Sequence, residues 1–209
     1  MTSPVIPSPV NPGTVVWSGD NPGIYLKDAQ GNWQSLSLYF RVVTSPHGPG
    51  TGAIVLGAPQ QAAAWPQVPN LCISTNEPLM RWLVSDFVSR FASFRDAAGL
   101  QAMAYVRAES TRSSAEGQAF HEEQLQGDGI NVALRWESLG TPFAVDVPPS
   151  MSSTGQHQMV SVFVEAQTGS IKINDVALPG QVIVRDFLGG RMSTAFLAFC
   201  EGWILPPAP

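Results

Sequence analysis

The chain has 209 residues, 44% hydrophobic and only 13% charged, which is enough apolar material for a sizeable core without metal or disulfide staples. Its 11 basic and 16 acidic side chains leave a formal net charge of −5. The cations are unclustered and mostly Arg, so neither nucleic acid nor an anionic membrane is an expected partner.

The first 13 residues form a proline-rich extended arm (Pro4, Pro7, Pro9, Pro12), in which no basic segment precedes an apolar one. With no export signal to read, a cytoplasmic location is expected. Thr14 to Trp17 and Gly23 to Lys27 have strand composition, and the turn chemistry of Asp28 to Asn32 precedes a longer strand from Trp33 to Val43. The Gly- and Pro-rich stretch from Ser45 to Gly52 then leads to the apolar run Ala53 to Leu56, as in a hairpin with a long loop.

Residues 58–69, rich in Ala, Gln and Pro, are the one candidate internal boundary before the short strand Leu71 to Ile73. Roughly 55 residues without a helix would be marginal alone, so residues 14–204 are read as a single α+β domain, followed by a proline-rich tail at 205–209. The strongest helical pattern runs from about 78 to 98, where Leu79, Leu83, Phe87, Phe91 and Phe94 recur at spacings of three and four. Ser74, Thr75 or Asn76 can cap it, and Gly99 marks its stop.

Beyond Gly99 the period becomes two, in 100–109, 130–138, 158–166 and 192–204, with a hairpin at 171–176 and a strand at 182–187. Turn residues at 127–129, 168–170, 174–175 and 189–190 separate these segments. The expected fold class is therefore α+β: a mainly antiparallel curled sheet or partly open barrel packed on one long amphipathic helix. Cys72 and Cys200 both lie in apolar runs and are expected as reduced core thiols.

Sorting the late strands by parity gives two faces. Leu100, Ala104, Val106, Ile130, Val132, Leu134, Trp136 and the valines of 160–164 form the face expected to take the helix. The other face mixes rings with charge, and its ligand-binding candidates are Tyr105, Arg107, Glu109, Arg135, Phe163, Phe199, Glu201 and Trp203. That composition suits a pocket for an apolar molecule with one or two polar handles, although alternating Arg and Glu are also ordinary cross-strand pairs on a solvated face.

Glu137 and Glu165 are the candidate acid/base pair, with His121 as a further catalytic candidate. His121-Glu122-Glu123 lacks the second His of a zinc helix, Gly48 to Gly52 lacks the phosphate-loop lysine, and no G-x-S-x-G occurs, so no metal or cofactor is expected. Two functions follow. One is binding of a small apolar or aromatic molecule between sheet and helix, with or without isomerase, cyclase or hydrolase chemistry; the other is a structural protein assembling as a homo-oligomer through its proline-rich arms.

Overall fold

The computed structural model describes residues 12–187 and 189–207, so most of the expected N-terminal arm, and residues 208–209 of the tail, lie outside the described residues. In chain order the elements begin with β1 (Thr14–Asp20), β2 (Gly23–Lys27), β3 (Trp33–Thr44), β4 (Gly50–Leu56) and β5 (Asn70–Ser74). A helical passage follows, with α1 (Glu77–Asp86), a 3₁₀ turn (Val88–Arg90) and α2 (Ala98–Ala102). Then come β6 (Ala104–Arg107), β7 (Ser110–Glu116), β8 (Phe120–Gly127), β9 (Ile130–Leu139) and β10 (Phe143–Val147). The chain closes with β11 (Gln158–Ile173), β12 (Val176–Ala177), β13 (Val184–Phe187), β14 (Gly190–Ser193) and β15 (Ala195–Leu205).

Among the described residues, all strands except the β13–β14 ribbon belong to one sheet, in the order β6-β5-β4-β3-β1-β15-β11-β9-β8-β7. Three small strands lie off this path: β2 pairs with β15 and β3, while β10 and β12 pair with β11. Pairing is antiparallel except where β6 runs parallel to β5, as a crossover through helices requires. The sheet curls until its ends meet: Ala108 N–H donates to Ser74 C=O and Glu109 N–H to Gln126 C=O, each at 2.7 Å. At that junction any Cβ on Gly127 would sit 1.9 Å from the Arg107 carbonyl, so only glycine fits.

Curling brings the two halves of the sheet face to face. Tyr39, Ala53, Val55, Leu71 and Ile73 from the first half pack with Leu125, Val132, Leu134, Trp136, Val164 and Leu197 from the second. Trp136 Nε1 crosses this layer to donate to Gly23 C=O at 2.9 Å. The other parity of the first half (Leu36, Leu38, Phe40, Ile54, Leu56, Cys72) packs under α1 and the segment after it. All five residues of β5 are therefore buried, which explains its unbroken apolar run. The face expected to meet the helix, Ile130 to Trp136, meets the other half of the sheet instead.

The long helix expected over 78–98 is not present. Asn76 caps α1 by accepting from Leu79 N–H at 3.1 Å, but Phe87 leaves helical geometry (φ −124°, ψ −64°) and a 3₁₀ turn follows. From Ser85 to Phe94 the chain carries three serines, Asp86, Val88 and three phenylalanines, all weaker helix formers than the Leu- and Met-rich stretch before them. Burial then decides against helix: Phe87 packs edge-on to Trp17 and Trp203, Phe91 stacks on Trp203, and Phe94 meets the edge of Tyr25. Residues 100–102, read as the start of a strand, fall in α2. Cys72 is buried as expected, whereas Cys200 is exposed, and both are free thiols.

Two polar clusters hold this architecture. Asn70 folds residues 58–63 around its amide: Oδ1 accepts from Ala58 N–H, and Nδ2 donates to the carbonyls of Ala58, Gln61 and Ala63. The apparent linker is thus pinned to β5. Across the sheet, buried Glu123 of β8 accepts from Arg41 of β3 (2.9 Å), Ser113 of β7 (2.6 Å) and His121 (2.8 Å). Burial opposes ionisation of Glu123, but the hydrogen bonds from His121 and Ser113 and the charge of Arg41 outweigh it and hold the carboxyl below its ordinary range.

Replacing Asn70 by Ala leaves several backbone groups unsatisfied and should cost on the order of 3 kcal/mol in urea denaturation; Asn70→Asp, which turns a carboxylate toward three carbonyls, should cost more. Because the Glu123 carboxyl is depressed in the folded state, its contribution is present above the unfolded value and is lost as pH falls through the folded one. Glu123→Gln should cost about 2 kcal/mol at neutral pH, with the gap to wild type closing as pH falls through the depressed folded-state range of this carboxyl. An unchanged gap in acid would assign the loss to packing alone.

Candidate functional site

The site begins with a bulge. β11 and β15 pair Val162 with Phe199 and then Val160 with Gly202, so Cys200 and Glu201 together face the single residue Ser161. Cys200 takes φ +52°, a left-handed conformation unusual for a residue with a Cβ. Two hydrogen bonds hold it: Cys200 N–H donates to Asp20 Oδ1 at 3.1 Å, and Ser161 Oγ donates to Phe199 C=O at 3.3 Å. The bulge inverts the parity of β15. Before it, Phe196 and Ala198 point to the helical side and Leu197 to the layer between sheet halves; after it, Trp203 joins the helical side.

There, where α1 has ended, a cavity of about 480 Å³ opens between the sheet and the chain laid over it. Its sheet wall consists of Tyr25, Leu38, Met159, Phe163, Phe196, Glu201 and Trp203. Residues 90–93 with Arg95, the segment 151–153 and Arg185 to Phe187 cover it. The rings brace one another, with centroids 5.5 Å apart for Tyr25–Phe196 and Phe163–Phe196 and 5.4 Å for Phe163–Phe187. Arg185 lies over both Tyr25 and Phe187 and donates weakly to Ser93 Oγ at 3.5 Å.

Glu201 is the one acidic group buried in this wall, at 4% exposure. Its Oε1 accepts from Trp203 Nε1 at 2.6 Å and from Asn21 Nδ2 at 3.3 Å, so both hydrogen bonds fall on one carboxylate oxygen. Burial pushes its carboxyl up from 4.5 to about 7; the hydrogen bonds from Trp203 and Asn21 pull it down and the nearby Asp20 charge adds to the rise. Burial also raises the Tyr25 hydroxyl, with Arg185 opposing and Glu201 assisting. Two polar atoms of the lining, Asn21 Oδ1 and Arg185 Nε, are buried without a partner among the described residues.

Of the residues singled out from sequence, Phe163, Glu201 and Trp203 line the cavity together. The others are dispersed. Arg135 bonds Glu137 (2.9 Å) and Glu122 (3.3 Å) and covers Phe120, the ordinary cross-strand arrangement of a solvated face. Glu165 accepts from Ser193 N–H at 2.7 Å, so each carboxylate of the expected acid/base pair has its own separate partners. Tyr105 lies under the Arg81 guanidinium, Arg107 and Glu109 are exposed at the end of β6, and Phe199 meets His121 edge-on. His121 itself belongs to the Glu123 cluster between the sheet halves.

Asn21, Tyr25 and Arg185 escaped sequence reading. Asn21 sits in the β1–β2 turn and Arg185 in a detached ribbon, and neither position carries a periodic signal. Among the described residues no group of three His, Cys, Asp or Glu side chains converges to hold a metal ion, and no helix is long and apolar enough to cross a membrane. No protein family, curated protein or solved structure matches the chain, so this geometry is what bears on its function.

Proposed function

We propose that this protein binds a small, largely aromatic or apolar molecule in the cavity between the sheet and the segment that follows α1. The observation that carries the reading is Glu201, a buried carboxyl whose two hydrogen bonds both fall on one oxygen, in an otherwise apolar, ring-rich sheet wall. A cavity of about 480 Å³ lies within the range of small-molecule sites, which are typically apolar with a few converging polar groups. Burying a carboxyl costs free energy, and a ligand that hydrogen-bonds to it offsets part of that cost.

The same group suits acid/base chemistry. A carboxyl that exchanges its proton near pH 7 can donate to, or accept from, a bound molecule over the working range of most enzymes. The acid/base role expected of Glu137 and Glu165 therefore passes to Glu201, with Tyr25, Asn21 and Arg185 positioned to orient a substrate. Isomerisation or hydrolysis of an apolar substrate remains within reach of this set.

Titration of the uncharged fluorescent probe phenylnaphthylamine tests the binding claim. Saturable binding is expected, and Ala92→Trp, which fills the cavity from an exposed lining position, should weaken it about tenfold. Non-saturable binding, or affinity indifferent to Ala92→Trp, would remove the proposal.

Protonation of Glu201 has its own signature. The folded chain keeps this proton up to about pH 7 while the unfolded chain releases it near 4.5, so stability falls as pH rises through that window. The displacement corresponds to roughly 3 kcal/mol between about pH 5 and pH 8, and Glu201→Gln should abolish that part of the slope. Identical slopes in urea denaturation would show that Glu201 ionises normally.

A further inference from the structure

Resting on the cavity reading above, we infer that the molecule bound is an amphipathic anion: an aromatic or apolar body carrying one acidic group, which the guanidinium groups of Arg90, Arg95 and Arg185 receive at the mouth. The distribution of charge is the starting point. The chain has a net charge of −5 and 11 cationic side chains, yet three of those cations line one cavity. Among the described residues none of the three has a carboxylate within ion-pair distance; the ion pairs present use Arg41, Arg81, Arg135 and His121 instead.

The three differ in depth. Arg90 and Arg95 are exposed on the covering segment, where Arg95 donates to the Arg90 carbonyl at 3.4 Å, while Arg185 is half-buried against the rings. Asp186 is the acidic counterweight at the mouth, and it is exposed and opposite Arg191 in the β13–β14 register. A cationic ligand is disfavoured by the same arrangement, because Arg185 already occupies the faces of Tyr25 and Phe187 that would attract it. A guanidinium half withdrawn from water, with a buried unpartnered Nε, gains most from an anion, since a charge-assisted hydrogen bond is about twice as strong as a neutral one.

Paired titrations of the full chain at one mildly acidic pH, with anilinonaphthalene sulfonate and its uncharged counterpart phenylnaphthylamine, separate this inference from the reading beneath it. The sulfonate should bind saturably and about tenfold more tightly than the neutral probe, with an advantage that shrinks as salt is added. Joint replacement Arg90→Gln and Arg95→Gln, at exposed positions outside the core, should remove most of that advantage while changing neutral-probe affinity by less than about twofold. Arg185→Met, which keeps an apolar stem against the rings, should act in the same direction. Equal affinities for the two probes, or an advantage that survives these substitutions, overturns the anion inference and leaves the cavity reading standing. Failure of both probes to bind saturably removes the cavity reading and this inference together.

Discussion

The first half of the sheet has apolar side chains on both faces, and each face must be covered. One is met by the second half of the same sheet, which requires the sheet to curl until β5 and β6 reach β8. The other is met by α1 and the aromatic segment after it. The rest of the structure follows from this double demand: the closure at Gly127, the cross-sheet cluster around Glu123, and the breaking of the helix so that Phe87 and Phe91 reach Trp203 while Phe94 reaches Tyr25. A straight helix of about 30 Å would present its rings along one line, whereas the buried surface beneath is curved.

The cavity is a product of that compromise. Where the helix gives way to turns, the covering layer no longer follows the sheet closely, and a space bounded by rings remains. The bulge at Cys200 places Glu201 and Trp203 on this side of β15. Asp20, the last residue of β1, and Asn21, which follows it, then act on both parts of the arrangement: one holds the bulge backbone and the other reaches the carboxyl. A carboxyl buried among rings is a local cost that the hydrogen bonds from Trp203 and Asn21 only partly offset.

Much of the sheet was legible in the residues. Alternation in Ile130 to Trp136 and in Val160 to Val164, and the turn chemistry at Asn174-Asp175, marked the strands and hairpin found there. The cap at Asn76 and the apolar spacing of Leu79 and Leu83 marked the start of α1. Its end was not legible, because Phe87, Phe91 and Phe94 keep helical spacing while their burial pulls the backbone out of helix. The site was legible only in part. Strict alternation places Leu197, Phe199, Glu201 and Trp203 on one face, and a single left-handed residue divides that set.

By itself the sequence marked many of the strands, though not those at Ser110–Glu116, Phe120–Gly127 and Phe143–Val147, and showed that apolar residues are plentiful and charge sparse. These are properties of residue type and local period, which act over a few neighbours. Only the tertiary structure decided which strands face one another, where the helix stops, and which carboxyl is buried beside the rings. Those outcomes depend on contacts between residues as distant in the chain as Asn21 and Glu201, and on a bulge whose effect on parity no local pattern records.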